Sequence, residues 1–292
     1  MKIIRNLLLV LLSIISLSVK AEIYSAETVE EINNSLMEFL EKRNPEKTLV
    51  VLPLENFFAQ ATHPAFYATK DEEFQTFIAQ ASSKVKLSRR QYLEELILTQ
   101  YEQKFSDPMI PEFVKNLQKK NVPIIVVTRN FSGSLNKIPY LEVWTWKYLF
   151  DKGVDLSKSP IGSKQIIFNK KYRKIGGTYP TFYRGLLSCN SADGENAPQS
   201  IIAYLLSQEL KWLPDVIYVV DKNKSYIQSL EQQFKSIRSD IQVEGFVYSP
   251  VEKSDIEISS SEFLKFWEDL VVKLNAITRK ESSGTKEDPY EQ

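Results

Sequence analysis

The stretch Thr48-Leu49-Val50-Val51-Leu52-Pro53-Leu54-Glu55-Asn56-Phe57-Phe58 constrains this chain more than any other. An unbroken apolar run, closed by proline and an asparagine-containing turn, reads as a strand covered on both faces. Strands of that kind belong to parallel sheets, and in open sheets of this type ligands bind where the carboxyl ends open into loops. The run therefore predicts both an architecture and the place to look for a site.

The rest of the chain supplies the partners such a strand requires. Further buried strands are expected at Val122 to Val127, Asp215 to Asp221 and Ile241 to Tyr248, with shorter ones at Lys164 to Phe168 and Thr181 to Ser188. Between them lie amphipathic helices. Thr28 with Glu31 forms a capping box ahead of Val29, Ile32, Leu36, Phe39 and Leu40; Ser259 with Glu262 forms another ahead of Phe263, Phe266, Leu270 and Leu274. Pro111 and Pro198 open two more helices, and Tyr140 to Lys152 is a helix stopped by Gly153. This alternation predicts a three-layer α/β fold, Rossmann-like, with a mostly parallel sheet and right-handed crossovers.

Residues 58–108 interrupt the alternation. The segment carries helical spacing from Asp71 to Ser82, then a longer helix capped by Ser88 and Gln91, and no strand signal. It is expected to be a helical cap insertion after the first strand. The domain is expected to run over 22–278, with residues 279–292, rich in Lys, Glu, Ser and Asp, as a disordered tail.

Residues 1–21 have a basic start, an apolar run from Leu7 to Val19 and small residues at Val19 and Ala21, the pattern of a cleaved secretory signal. Export through the Sec pathway to the periplasm or beyond is the expectation, with no membrane span after cleavage. The chain has 37 basic and 37 acidic residues; losing Lys2, Arg5 and Lys20 leaves 34 against 37, a net charge of −3. That balance argues against a nucleic-acid partner, which needs a basic surface. Cys189, the only cysteine, is read as a buried structural thiol. His63 is read as a loop or interdomain hydrogen-bonding residue, and the basic loop Asn169 to Gly177 as a solvated hairpin connection rather than an anion site.

Three strand ends are polar: Pro53-Leu54-Glu55-Asn56, Thr128-Arg129 and Val220-Asp221. Their order and spacing resemble the haloacid dehalogenase-like superfamily, in particular a branch of exported bacterial proteins, over about Val29 to Leu274. The resemblance implies a phosphotransferase site in which the first strand ends in two aspartates, the first a nucleophile. Here Pro53 stands at the nucleophile position and Glu55 at the second. The resemblance also implies that Thr128, with Arg129 beside it, holds phosphoryl oxygens, and that Asp221 with Glu55 holds at most a weakly bound Mg²⁺. The lysine expected near Glu195 to Gln199 is missing, and the electrostatic substitutes in view are Lys222 or Lys224, after the next strand. Groups that act as one catalytic unit fail together. The expectation is thus a degenerate pseudo-phosphatase that binds an unidentified ligand or protein partner. The alternative is a residual Mg²⁺-dependent phosphate-ester hydrolase using Glu55, Thr128 and Asp221. A weaker idea makes Phe66, Tyr67, Tyr140, Trp144 and Trp146 a partner or sugar-stacking surface.

Overall fold

The computed structural model describes residues 22–68, 72–191, 196–250 and 258–279. The expected secretory signal, residues 1–21, and residues 280–292 of the expected tail lie outside the described residues. The elements in chain order are β1 (Glu22–Ala26), α1 (Val29–Lys42), β2 (Thr48–Pro53), β3 (Gln60–Ala61), α2 (Glu72–Ser83), α3 (Leu87–Arg90), α4 (Leu93–Gln100), β4 (Gln103–Lys104), α5 (Ile110–Lys119) and β5 (Ile124–Thr128). They continue as α6 (Leu141–Asp151), β6 (Gln165–Ile167), β7 (Thr181–Tyr183), β8 (Leu186–Ser188), α7 (Pro198–Tyr204), β9 (Val216–Asp221), α8 (Lys224–Lys235), β10 (Gln242–Tyr248) and α9 (Ser260–Ala276).

Eight strands form one sheet in the order β1-β10-β9-β2-β5-β8-β7-β6. The neighbours from β1 to β8 pair in parallel, and β8, β7 and β6 continue antiparallel to that edge. The fold is α/β with a mostly parallel sheet, as the strand and helix alternation requires. Residue alternation along β2 explains the layers: Val50 and Leu52 pack with α1, α5 and α6, while Leu49 and Val51 pack with α7 and α8. A strand buried on both faces is apolar at nearly every position, which is why Leu49 to Leu52 reads as one continuous apolar run, with Thr48 satisfied by donating to Asn44 O.

Several expectations need correction. The buried-strand pattern starts the sheet at Thr48, but β1 precedes it, an edge strand on β10 with largely exposed residues that carry no buried-strand signal. Thr181 to Ser188 is a hairpin, not one strand: Arg184 and Gly185 both take positive φ, 47° and 87°, as two-residue hairpin turns demand. The longer helix expected from Ser88 is two helices, α3 and α4, with neither side chain-capped. Residues 58–108 also contain a small ribbon, β3 paired antiparallel with β4, where no strand was expected.

That segment joins a third apolar cluster with α9 and the connection after β5, including Ala81, Leu96, Phe131, Leu141, Phe263 and Trp267. Arg279, expected to open a disordered tail, is instead buried in the same region, its guanidinium lying over the rings of Tyr92 and Phe131 at 5.3 and 4.9 Å. The aromatic residues weighed as a surface are mostly packed. Trp146 is buried and stacks on Phe150, Trp144 stacks on Tyr148, and Phe66 sits among Tyr101, Phe266 and Trp267. Among the described residues no helix is long and apolar enough to cross a membrane.

Candidate functional site

The sheet order sets β9, β2 and β5 side by side and parallel, so Asp221, Glu55 and Thr128 emerge at one end of the molecule. The last pairing of β2 is Pro53 with Val127; the chain then leaves the sheet with Leu54 N–H donating to Val127 O at 2.8 Å. A tight loop follows. Phe58 and Ala59 N–H both donate to Leu54 O, Asn56 takes φ 59°, and Phe57 and Phe58 are wholly buried. Those two anchors fix the backbone that presents Glu55.

The Thr128 hydroxyl donates to Glu55 Oε1, and the same oxygen of Thr128 accepts from Asn130 N–H at 3.0 Å. Thr128, expected to hold phosphoryl oxygens, instead caps the turn after β5 and bonds to Glu55. Burial, with the charge of Glu94 adding to it, pushes the Glu55 carboxyl up to about 7, although the Thr128 hydroxyl and backbone N–H groups of Glu55 and Arg129 favour its charged form. Glu94 comes from α4; nothing in the sequence pattern of an exposed helix face marks it as a neighbour of Glu55.

Asp221 is half-buried and accepts from Asn223 N–H at 2.7 Å, while Asn223 in turn caps α8. Burial raises its carboxyl, opposed by that N–H and by the charges of Arg129 and Lys222. Lys222 and Lys224 are both exposed. A cavity of about 40 Å³ lies among Pro53, Glu55, Arg129, Pro198, Asp221 and Tyr226. Tyr226, in the first turn of α8, was not anticipated; its hydroxyl is buried and has no hydrogen-bond partner among the described residues. Cys189 is buried beneath the site, and desolvation with the nearby Glu55 charge drives its thiol well above the usual range. Its burial is as expected.

The connection after β5 is held with unusual completeness. Successive backbone N–H groups find separate acceptors: Asn130 on Thr128, Phe131 on Glu95 (2.9 Å), Ser132 on Asn190 (2.9 Å) and Gly133 on Glu142 (2.7 Å). Glu95 and Glu142 are buried and raised by desolvation, Glu95 to about 8. Arg279 supplies the nearby cation, 3.7 Å from Glu95, and donates to Ser132 O. The loop that carries Arg129 is therefore a rigid platform rather than a mobile one.

Other sequence candidates separate from this site. His63 accepts from Ala65 N–H and stacks on Phe266 at 4.1 Å, a loop role as expected. A larger, open groove of about 370 Å³ lies there, between His63, Glu262, Lys265, Phe266 and Asp269. Its size exceeds that of the strand-end cavity, but its charged side chains of both signs face solvent. The convergence of buried, protonatable groups is at β2, β5 and β9. Lys170, Lys171, Arg173 and Lys174 are exposed on the β6–β7 connection. Asn196 reaches Arg173 O and Asn190 O, and Glu195 lies outside the described residues. Among the described residues no three His, Cys, Asp or Glu side chains cluster in a way that holds a metal ion.

Comparison with known proteins places the chain among relatives from Rickettsia. It is similar to an uncharacterized protein of Rickettsia bellii (26% identical, covering 99% of each chain) and to ones of Rickettsia felis (28%, covering 94% of this chain and 92% of the relative) and Rickettsia typhi (28%, with the same coverage). No solved structure matches. The matching family is not the haloacid dehalogenase-like superfamily that the strand-end motifs resemble, and that expectation is corrected here. The physical reason lies in the motifs: a threonine capping a turn and an acid ending a strand arise in many parallel sheets, and Pro53 removes the residue that would have been diagnostic. Over residues 25–276 the chain matches, and so belongs to, the family described as "Protein of unknown function (DUF2608)".

Proposed function

We propose that this chain is an exported binding protein that holds a small polar ligand, free or carried on a partner, in the crevice of Glu55, Thr128, Arg129 and Asp221 and leaves it chemically unchanged. The observation that carries this reading is the bond from Thr128 to Glu55. It commits the hydroxyl at the end of β5 to the protein's own carboxylate, and Pro53 at the end of β2 offers no nucleophilic side chain. The only thiol nearby is buried and held protonated.

Mg²⁺ has no part in the proposal. Glu55 already takes the Thr128 proton donor, and Arg129 supplies positive charge beside Asp221, so the donor set does not fit a hard cation that demands ionised oxygen ligands. The insertion acts as the cover, with Glu94 at the rim. Export rests on the pattern of residues 1–21.

One observation favours a second reading. A carboxyl near 7 beside room for water has the properties of a general base, which suits hydrolysis of a phosphate ester. The two readings part in one assay: the purified chain, with and without Mg²⁺, on generic phosphate monoesters, beside calorimetric binding to small anions. No turnover, together with binding weakened in Arg129→Ala, supports the first. Turnover abolished by Glu55→Ala or Asp221→Ala establishes the second and ends the first.

A further inference from the structure

Resting on the binding reading, we propose that the ligand presents a carboxylate, and that Glu55 is a tethered stand-in occupying its seat until the ligand arrives. The seat is built before any ligand comes. Asn130 N–H orients the Thr128 oxygen, which leaves its proton directed at the carboxylate, and the Arg129 backbone N–H supports the same charge. A side chain from another strand fills those donors, and its own backbone is pinned by buried Phe57 and Phe58. Rotation of one side chain, with no loop movement, therefore suffices to vacate the seat.

The neighbouring cavity shows what the stand-in leaves unsatisfied. Tyr226 lines the same cavity as Arg129 and Asp221, and its hydroxyl is buried without a hydrogen-bond partner among the described residues. A buried phenol in that condition is a donor awaiting an acceptor. Glu94 meanwhile repels Glu55 from the insertion side. These features point to an incoming acceptor that is planar and singly charged. A cavity of about 40 Å³ takes only a few waters' worth of added volume. Asp221 and Glu94 make a dianion costly there. A carboxylate of the kind the seat already holds meets both limits.

A tethered group competes at an effective concentration in the millimolar range, so wild-type protein should bind a free carboxylate poorly. The test titrates acetate at constant ionic strength against wild type, Glu55→Ala and Glu55→Gln, reading melting temperature and calorimetric affinity. The expected result is a saturable response in Glu55→Ala, at least tenfold tighter than in wild type or in Glu55→Gln, whose amide still fills the seat. Adding Tyr226→Phe or Thr128→Val to Glu55→Ala should remove most of that gain. Glu55→Ser, which leaves Thr128 a hydroxyl partner, carries the same test if Glu55→Ala does not fold. A folded vacated variant with no acetate response, or one that prefers inorganic phosphate, overturns the carboxylate assignment. Phosphate binding that is lost in Arg129→Ala then leaves the binding reading standing. If no variant binds acetate or phosphate, both fall.

Discussion

Arg279→Met tests the platform that carries the site. Arg279 is the cation nearest two buried carboxyls, with side-chain exposures of 7% for Arg279 and 1% for Glu95. Breaking a buried pair ordinarily costs about 3–5 kcal/mol because the remaining charge is stranded. Here burial holds Glu95 at about 8, so near pH 6 its carboxyl is protonated in the native state and nothing is stranded. Methionine restores much of the volume between Tyr92 and Phe131, and the loss reduces to the bond to Ser132 O and the ring contacts, about 1–2 kcal/mol. Alkaline pH changes the sum. At 3.7 Å and an effective dielectric of about 20, Arg279 favours ionised Glu95 by about 4 kcal/mol, so its removal moves that carboxyl roughly three units higher. Above pH 8 the variant's native state then keeps a proton that the wild type and the unfolded chain have released. Its stability must fall more steeply by about 1.4 kcal/mol per pH unit. Urea unfolding followed by tryptophan fluorescence at pH 6, 8, 9 and 10 measures this, with Trp146 and Trp267 as buried reporters. A destabilisation that is constant across the series, or that shrinks toward pH 10, refutes the reasoning.

Three further outcomes are expected. Glu55→Gln should flatten the stability profile between about pH 4.5 and 7: a carboxyl raised to about 7 binds its proton in the native state before the unfolded chain does, so wild-type stability falls through that window by up to roughly 3 kcal/mol, and the amide removes that share of the slope in urea melts. Glu94→Gln should lower the Glu55 titration midpoint measured by carbon NMR of the labelled carboxyl, because it removes a like charge; a midpoint that stays or rises contradicts the placement of α4. Gly245→Ala should cost about 1–3 kcal/mol in thermal unfolding, since a Cβ on β10 would stand 2.5 Å from a methyl carbon of buried Ile227 on α8; a neutral result contradicts that packing.

What was legible in the sequence is what local chemistry or two-sided burial writes into it. The capping boxes at Thr28–Glu31 and Ser259–Glu262 form as their spacing says, because both partners lie within one turn. β2, β5 and β9 are legible because a strand buried on both faces has almost no polar positions, and their parallel order brings Glu55 to Thr128 without any further information. β1 is illegible because its stability comes from an edge pairing with residues far along the chain and its exposed side chains look like loop. The break at Arg184-Gly185 is hidden because arginine seldom marks a left-handed turn.

The site divides along the same line. Residues at strand ends were found, whereas Tyr226, Glu94, Glu95 and Glu142 come from helices whose facing depends on how the layers pack. Glu94 and Glu95 show the limit most directly. They are sequence neighbours on α4, yet Glu94 bears on Glu55 while Glu95 holds Phe131 N–H and pairs with Arg279. One helical turn of α4 therefore bears on both the crevice and the buried cluster that fixes its loop. A shift of α4 moves the charge of Glu94 and the bonds of Glu95 together. Residues 58–108 and the segment ending in Arg279 thus belong to the architecture of the site, although neither supplies a residue that a strand-end motif would reveal.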